Sequence, residues 1–406
     1  MIGERQENQL DDQLKTIAEK CINCDLCQKE CRFLQKFGKP GEISAAYDPS
    51  REACLTMPFE CSLCALCDAV CPVGIKPSQM FFEMRKASIR KDASTYGTDC
   101  VYLGYESRGT SKHLSYYALP RHCSTIYFPG CAYPAGRPRE TVKLFNFLQR
   151  AVPGLGIVLD CCTKPSHDLG RIAGFNAMFG EMRRFLLQHG IRKVLVNCPN
   201  CYKIFQAYGR GLAVETVYEV MAAANLKANH VHAKVVTVHD PCVLRGESSI
   251  QETVRGLLTK SGVHLSEMKH NRDQTICCGE GGSVSCRSSE LADRWVDLRL
   301  AEAAGKPMIT YCSGCVNRFA RRHPTTHILD LFFGSGNGPG KQAFLPGFPL
   351  TCINRIRLKN YLKRNIQAVV TRERTFSHES ISRMPLLNRN RLAYFISIGL
   401  AKLLGR

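Results

Sequence analysis

KVLVNCPNC, Lys193–Cys201, runs three apolar residues into a cysteine and places a second cysteine three residues later. A short β-branched run closed by polar residues and a proline reads as a buried strand ending in a turn. STIYFPGC (Ser124–Cys131) and GIVLDCC (Gly156–Cys162) have the same form, and helix-like stretches lie between them (137–152 and 175–190). Strand alternating with helix predicts parallel α/β units. A second round follows in KVVTVHDPC (234–242), TICC (275–278) and MITYCSGC (308–315), with helix-like stretches at 249–262 and 290–305.

Each round supplies five cysteines in one order: a single, an adjacent pair, then C-x2-C. The first set is Cys131, Cys161, Cys162, Cys198 and Cys201; the second is Cys242, Cys277, Cys278, Cys312 and Cys315. Repetition on this scale predicts two related lobes. Three strand ends would gather each set, because the loops of open α/β sheets converge at the strand C-termini. Adjacent cysteines do not readily bond each other, since disulfide geometry wants converging Cβ vectors. The pairs are better explained by a metal cluster too large for four sulfurs.

The first hundred residues hold a second kind of spacing. CINCDLCQKEC carries Cys21, Cys24, Cys27 and Cys31, and CSLCALCDAVCP carries Cys61, Cys64, Cys67 and Cys71. Both are C-x2-C-x2-C-x3-C, the bacterial ferredoxin run. In two-cluster ferredoxins the fourth cysteine ligates the other cube. On that pattern Cys21, Cys24, Cys27 and Cys71 hold one [4Fe–4S] cubane, and Cys61, Cys64, Cys67 and Cys31 the other. Pro72 follows the second run as usual, whereas Arg32 stands where the first would carry proline. C-x2-C pairs also bind zinc, but zinc needs two pairs and would leave two cysteines of each run unused. Cys54 and Cys100 fall outside the pattern and read as plain buried cysteines.

Length and composition fit this reading. The chain has 406 residues, enough for two or three domains, and 23 cysteines. An odd cysteine count and an N-terminus without an apolar signal segment argue for intracellular ligation over a secreted disulfide framework. The formal net charge is +20. About half of it lies in residues 351–406, with 12 Lys or Arg against 2 Asp or Glu. This basic tail invites three readings: a helical extension packed on the core, contact with an anionic membrane face, or an acidic partner. No apolar run reaches the ~18 residues of a spanning helix. The expected location is cytoplasmic, or peripheral at the inner face of a membrane. GSGNGPG (Gly334–Gly340) suits a flexible linker better than a dinucleotide loop. No Walker loop, nucleophile elbow or H-E-x-x-H stands in the chain, so no flavin or nicotinamide site of its own is expected. Nucleic acid is a poor fit for want of any recognition module.

The first hundred residues resemble the α-helical ferredoxin domain found in the iron–sulfur component of succinate dehydrogenase and in the C component of heterodisulfide reductase. The repeated five-cysteine sets resemble the cysteine-rich CCG domain of the B and D components of heterodisulfide reductase. They also resemble the C component of anaerobic glycerol-3-phosphate dehydrogenase and the iron–sulfur components of glycolate and lactate oxidases. The likeness runs from about Lys20 to Leu331. It implies an α+β multidomain chain: an α-helical ferredoxin domain (1–100), a duplicated α/β cysteine-rich CCG domain (124–228 and 234–332), then a linker and basic amphipathic extension (333–406). It also implies two cubanes and one or two further [4Fe–4S] clusters of cubane or non-cubane type. In the B component of heterodisulfide reductase such five-cysteine sets hold non-cubane clusters that reduce a disulfide. Gly279 follows the second pair as the family expects, whereas Thr163 follows the first. The second site is therefore the better candidate for a non-cubane cluster and for catalysis, through Cys242, Cys277, Cys278, Cys312 and Cys315. His239 beside it could deliver a proton or hydrogen-bond a sulfur, although a histidine at a strand end is more often structural. His167 and Asp168 invite the same idea.

The resemblance implies an iron–sulfur oxidoreductase subunit that passes electrons from the cubanes to the cysteine-rich clusters and reduces a disulfide. Its partner would be a flavoprotein or membrane cytochrome, and its substrate a disulfide or thiol. Two rivals are a pure electron relay for a flavin-dependent dehydrogenase and a zinc-binding scaffold.

Overall fold

The computed structural model describes residues 2–93, 101–228, 235–334 and 345–374, with side chains from residue 9 onward. Cys100, most of the glycine-rich segment after Gly334 and the tail beyond Arg374 lie outside the described residues.

The N-terminal part is helical. Ile2–Lys20 packs on Pro40–Ala45 and on Pro77–Lys91, and the two ferredoxin-type runs lie in turns and short helices between them. Pro77 opens its helix at the position where a missing N–H costs nothing, and Arg90 and Lys91 sit in the last turn against the helix dipole. Met80, Phe81 and Met84 form its apolar face. Phe33 meets Phe81 edge-on at 4.9 Å. This core does not close on itself. Ile276, Val284, Leu291, Ala292 and Trp295 from the far end of the chain complete it, so the N-terminal unit shares its interior with the cysteine-rich part.

Two sheets follow. The larger is built from β1 (Tyr116–Leu119), β2 (Thr125–Phe128), β3 (Gly156–Leu159), β4 (Lys193–Val196), β5 (Ala213–Thr216) and, from the C-terminal end, β10 (Val370–Arg372). Their order is β10-β1-β3-β2-β4-β5. β3, β2, β4 and β5 run parallel, and β1 lies antiparallel to both β3 and β10. The smaller sheet contains β6 (Val235–His239), β7 (His264–Leu265), β8 (Met308–Thr310) and β9 (Thr325–His327), all parallel in the order β7-β6-β8-β9. The parallel part of the larger sheet has the same order: second strand, first, third, fourth. Residues from both sheets, such as Ile157, Leu195, Val238 and Ile309, meet in one apolar core.

One expectation needs correction. TICC is not a strand: Thr275–Cys278 is irregular, and the corresponding strand is the two-residue β7, about ten residues earlier. Polar anchors hold this loop instead. Thr275 Oγ1 donates to the Asp240 carbonyl (2.8 Å), the Arg272 amide to the Asp240 carboxylate (2.7 Å) and Arg245 to the Thr275 carbonyl (2.7 Å). The basic C-terminal segment, as far as it is described, packs on the core with part of its charge buried. Helix Leu350–Asn365 buries Arg355 and Lys359 together with Cys352, Ile353 and Leu362. Both cations direct their hydrogens at backbone carbonyls, Arg355 at Gly109 and Leu114 and Lys359 at Lys112 and His113. The chain then enters the larger sheet as its edge strand β10.

Candidate metal centres

The two ferredoxin-type runs interlock. Burial pushes the Cys27 thiol up to about 11, helped by Cys21, Cys24 and Cys71 around it. Burial raises Cys31 as well, and its thiol neighbours are Cys64 and Cys61. Cys67 rises through burial, then Asp68, then Cys61, Cys64 and Cys31. Two tetrads thus form, each taking its fourth member from the other run. The tight C-x2-C turns require left-handed backbone at Asn23, Leu63 and Ala65, and the Leu63 amide donates to Cys61 Sγ at 3.4 Å. At Gly41 a Cβ would stand 3.2 Å from Cys21 Sγ and 2.6 Å from Asn23 Oδ1, so glycine leaves room for the first tetrad.

The ten later cysteines form two pentads at the sheet edges. Cys131 and Cys161 lie with their sulfurs 3.9 Å apart. Cys162 is pulled down to about 6 by hydrogen bonds from Cys161 and Cys201, and Cys198 is lowered by Cys201. In the second pentad Cys277 is lowered by hydrogen bonds from Cys242 and Cys278, and Cys312 by Cys315. Cys242, Cys278 and Cys315 are raised by the same contacts. The two adjacent pairs sit in matching turns: the Thr163 amide donates to Cys161 Sγ at 3.4 Å and the Gly279 amide to Cys277 Sγ at 3.3 Å. Both residues have positive φ, +56° at Thr163 and +82° at Gly279. Threonine therefore keeps the turn, at the cost of an unfavourable backbone. Gly279 has a further reason, since a Cβ there would lie 2.4 Å from the Ala292 carbonyl.

These sets suit a multivalent cationic cluster. Buried thiols that raise one another's pKa ionise together only if positive charge enters among them. Soft thiolates select iron–sulfur clusters or zinc, and five sulfurs exceed the four of a structural zinc site. Amides aimed at Cys61, Cys161 and Cys277 are the hydrogen bonds to sulfur that such clusters use.

The sets also adjoin one another. Burial and then Cys277 raise Cys64, and Arg245 donates to the Cys64 carbonyl at 3.0 Å. A Cβ on Gly281 would stand 2.5 Å from the Ser62 carbonyl. The second tetrad therefore abuts the second pentad. Cys198 in turn feels Cys312, which brings the two pentads together. Arg85, wholly buried, ties three regions by donating to the carbonyls of Pro58, Cys61, Asp168 and Gly282.

Among the other expected residues, His239 is buried, and one of its ring nitrogens comes within 4.8 Å of both the Cys278 and Cys315 sulfurs. Burial and Arg299 hold it down to about 3, so it is neutral. His167 is engaged elsewhere: Nδ1 pairs with Asp168 (2.9 Å) and Nε2 with Tyr208 Oη (2.8 Å). Cys54 is half-buried and takes no place in the four sets.

Sequence reasoning missed the buried arginine–aspartate pairs behind both pentads. Asp240 accepts two bonds from Arg255 (2.9 and 2.8 Å) and one from Tyr311 Oη (2.8 Å). Asp160 accepts from Arg374 (3.1 and 3.0 Å), Tyr117 Oη and the Cys161 amide (2.7 Å). A signal existed for Arg85 and Arg299. Each follows a buried aromatic residue at helical spacing, Arg85 four residues after Phe81 and Arg299 four after Trp295.

The chain matches the 4Fe-4S dicluster domain family over residues 17–75 and the cysteine-rich domain family over residues 236–320. It carries both domains. Neither match reaches the first pentad or the C-terminal segment. The chain is 24% identical to the D component of the dihydromethanophenazine:CoB–CoM heterodisulfide reductase of Methanosarcina barkeri, over 60% of this chain and 66% of that protein. Against the B component of the fumarate reductase (CoM/CoB) of Methanothermobacter marburgensis the identity is 25%, over 73% and 66%. Against the EtfAB:quinone oxidoreductase of Syntrophomonas wolfei it is 24%, over 60% and 38%. The chain spans about two thirds of the length of the first two of these relatives. Among the described residues no helix is long and apolar enough to cross a membrane.

Proposed function

We propose that the chain is an electron-transfer subunit of an iron–sulfur oxidoreductase, with eighteen cysteines holding four clusters in a line. The order is Cys21/24/27/71, then Cys31/61/64/67, then Cys242/277/278/312/315, then Cys131/161/162/198/201. The observation that carries this reading is adjacency: Gly281 packs against the Ser62 carbonyl between the second tetrad and the second pentad, and Tyr218 Oη meets the carbonyls of Asn197 (3.0 Å) and Tyr311 (3.3 Å), the residues before Cys198 and Cys312. The clusters would supply one-electron storage, and the chain fixes their spacing and surroundings. Ile22, Leu26 and Val73 are exposed beside the first tetrad. That apolar rim is the face we assign to the electron partner, a flavoprotein or a membrane cytochrome.

Disulfide reduction is the terminal chemistry this reading assigns to the cysteine-rich part. It takes two electrons and two protons and leaves two thiols. The sulfur-rich second pentad and the likeness to a heterodisulfide reductase component support it. We also read the two sheets, over residues 124–228 and 234–332, as copies of one unit. They share strand order and cysteine order. EPR of the anaerobically purified chain, with and without a thiol or disulfide, tests the function. A paramagnetic signal that depends on the added ligand supports disulfide chemistry, whereas cluster signals indifferent to it reduce the chain to a relay.

A further inference from the structure

The two pentads differ in one wall residue, and the difference is chemical. β2 ends on Phe128, three residues before Cys131; β6 ends on His239, three before Cys242. Each ring meets a helical phenylalanine edge-on, Phe128 with Phe205 at 5.1 Å and His239 with Phe319 at 4.8 Å. Phe205 and Phe319 stand in turn four residues after Cys201 and Cys315. His239 thus fills the niche that Phe128 fills in the other lobe.

Its ring is fixed in one tautomer. Arg299 Nε donates to His239 Nδ1 at 3.2 Å, and a guanidinium can only donate. Nδ1 is therefore bare, and the neutral ring carries its hydrogen on Nε2. That nitrogen is buried and has no hydrogen-bond partner among the described residues. Arg299 is itself held by the His270 carbonyl and by Glu302, both at 2.7 Å. A buried donor without an acceptor is unfavourable. A ring nitrogen lies within 4.8 Å of the sulfurs of Cys278 and Cys315, so the niche beside the ring is sulfur-lined and an acceptor there would be sulfur of this site.

We propose that His239, positioned by Arg299, is a fixed N–H donor to sulfur at the second pentad, and that it sets the reduction potential of that site above that of the first. This rests on the function proposed above. A hydrogen bond to sulfur withdraws charge and favours the reduced state, so potential rises with each donor. Phe128 gives the first site no such bond. Electrons arriving from the second tetrad then come to rest at the second pentad, beside the ring.

The test uses the full chain, purified without oxygen, as wild type, His239→Phe and His239→Gln. The second-site EPR signal is identified by its loss in Cys278→Ala. Redox titration of that signal should shift to lower potential in His239→Phe, with iron content kept, and return toward wild type in His239→Gln, whose amide restores an N–H. ENDOR in wild-type protein should show an exchangeable proton coupled to the second site, removed by D2O and absent from His239→Phe. An unmoved potential in His239→Phe overturns the inference. So does a wild-type signal without that proton, which decides the matter even if His239→Phe fails to fold. Loss of second-site iron in both variants would make His239 a ligand and also overturn it. A chain that binds no iron overturns the function as well, whereas bound iron with an unmoved potential overturns this inference alone.

Discussion

Replacing Arg374 by methionine tests whether the C-terminal segment is part of the first metal site. Arg374 and Asp160 are both fully buried, and their side chains meet at 3.0 Å. Removing one partner of a buried ion pair costs about 3–5 kcal/mol, mainly because the other charge stays desolvated. Asp160 would keep two partners, Tyr117 Oη and the Cys161 amide. These soften the loss, so we expect the low end, about 3 kcal/mol. Asp160→Asn added to Arg374→Met removes the stranded charge and should recover more than half of it. Urea unfolding of the iron-loaded chain, followed by far-UV circular dichroism and by cluster absorbance, measures both effects. The first-pentad cluster should bleach at a lower urea concentration in Arg374→Met, because Asp160 directly precedes Cys161. A single variant within about 0.5 kcal/mol of wild type, or a double variant no better than the single, would refute the reasoning.

Gly279→Ala should destabilise the second lobe by roughly 2–4 kcal/mol, from positive φ and from overpacking against the Ala292 carbonyl; iron analysis should show second-site loss with the tetrads intact. Cys54→Ser should leave iron content unchanged, whereas Cys24→Ala should remove about a quarter of it, as read by iron and sulfide assay. Asp168 is buried, but Lys164 and His167 hold its carboxyl well below the usual range. A carboxylate depressed in this way contributes its full stabilisation above its unfolded pKa of about 3.9 and loses it progressively as pH falls from there through the lower folded value. Asp168→Asn should therefore lower the urea midpoint of iron-free protein at pH 7, and the gap to wild type should narrow below about pH 4.

Local pattern disclosed what local forces decide. β2, β3 and β4 were visible because three apolar residues end within three residues of a cysteine at each strand end, and the ferredoxin runs because ligand spacing is a property of one turn. TICC misled because its apolar, β-branched look belongs to a loop that Asp240 and Arg245 tie down from about thirty residues away or more. β1 and β10 gave no warning: YYAL and VTR are short, and their pairing joins residues 117 and 372. Non-local strand pairing has no signature in either partner alone. The basic tail looked like a surface feature because Lys and Arg are normally exposed. Arg355, Lys359 and Arg374 are buried because carbonyls and Asp160 await them, and those acceptors come from distant parts of the chain.

Iron stoichiometry of the anaerobically purified chain tests the central claim most directly. Four clusters on eighteen cysteines require about sixteen irons and as many acid-labile sulfides per chain, with brown charge-transfer absorption. A colourless protein holding zinc in place of iron would contradict it.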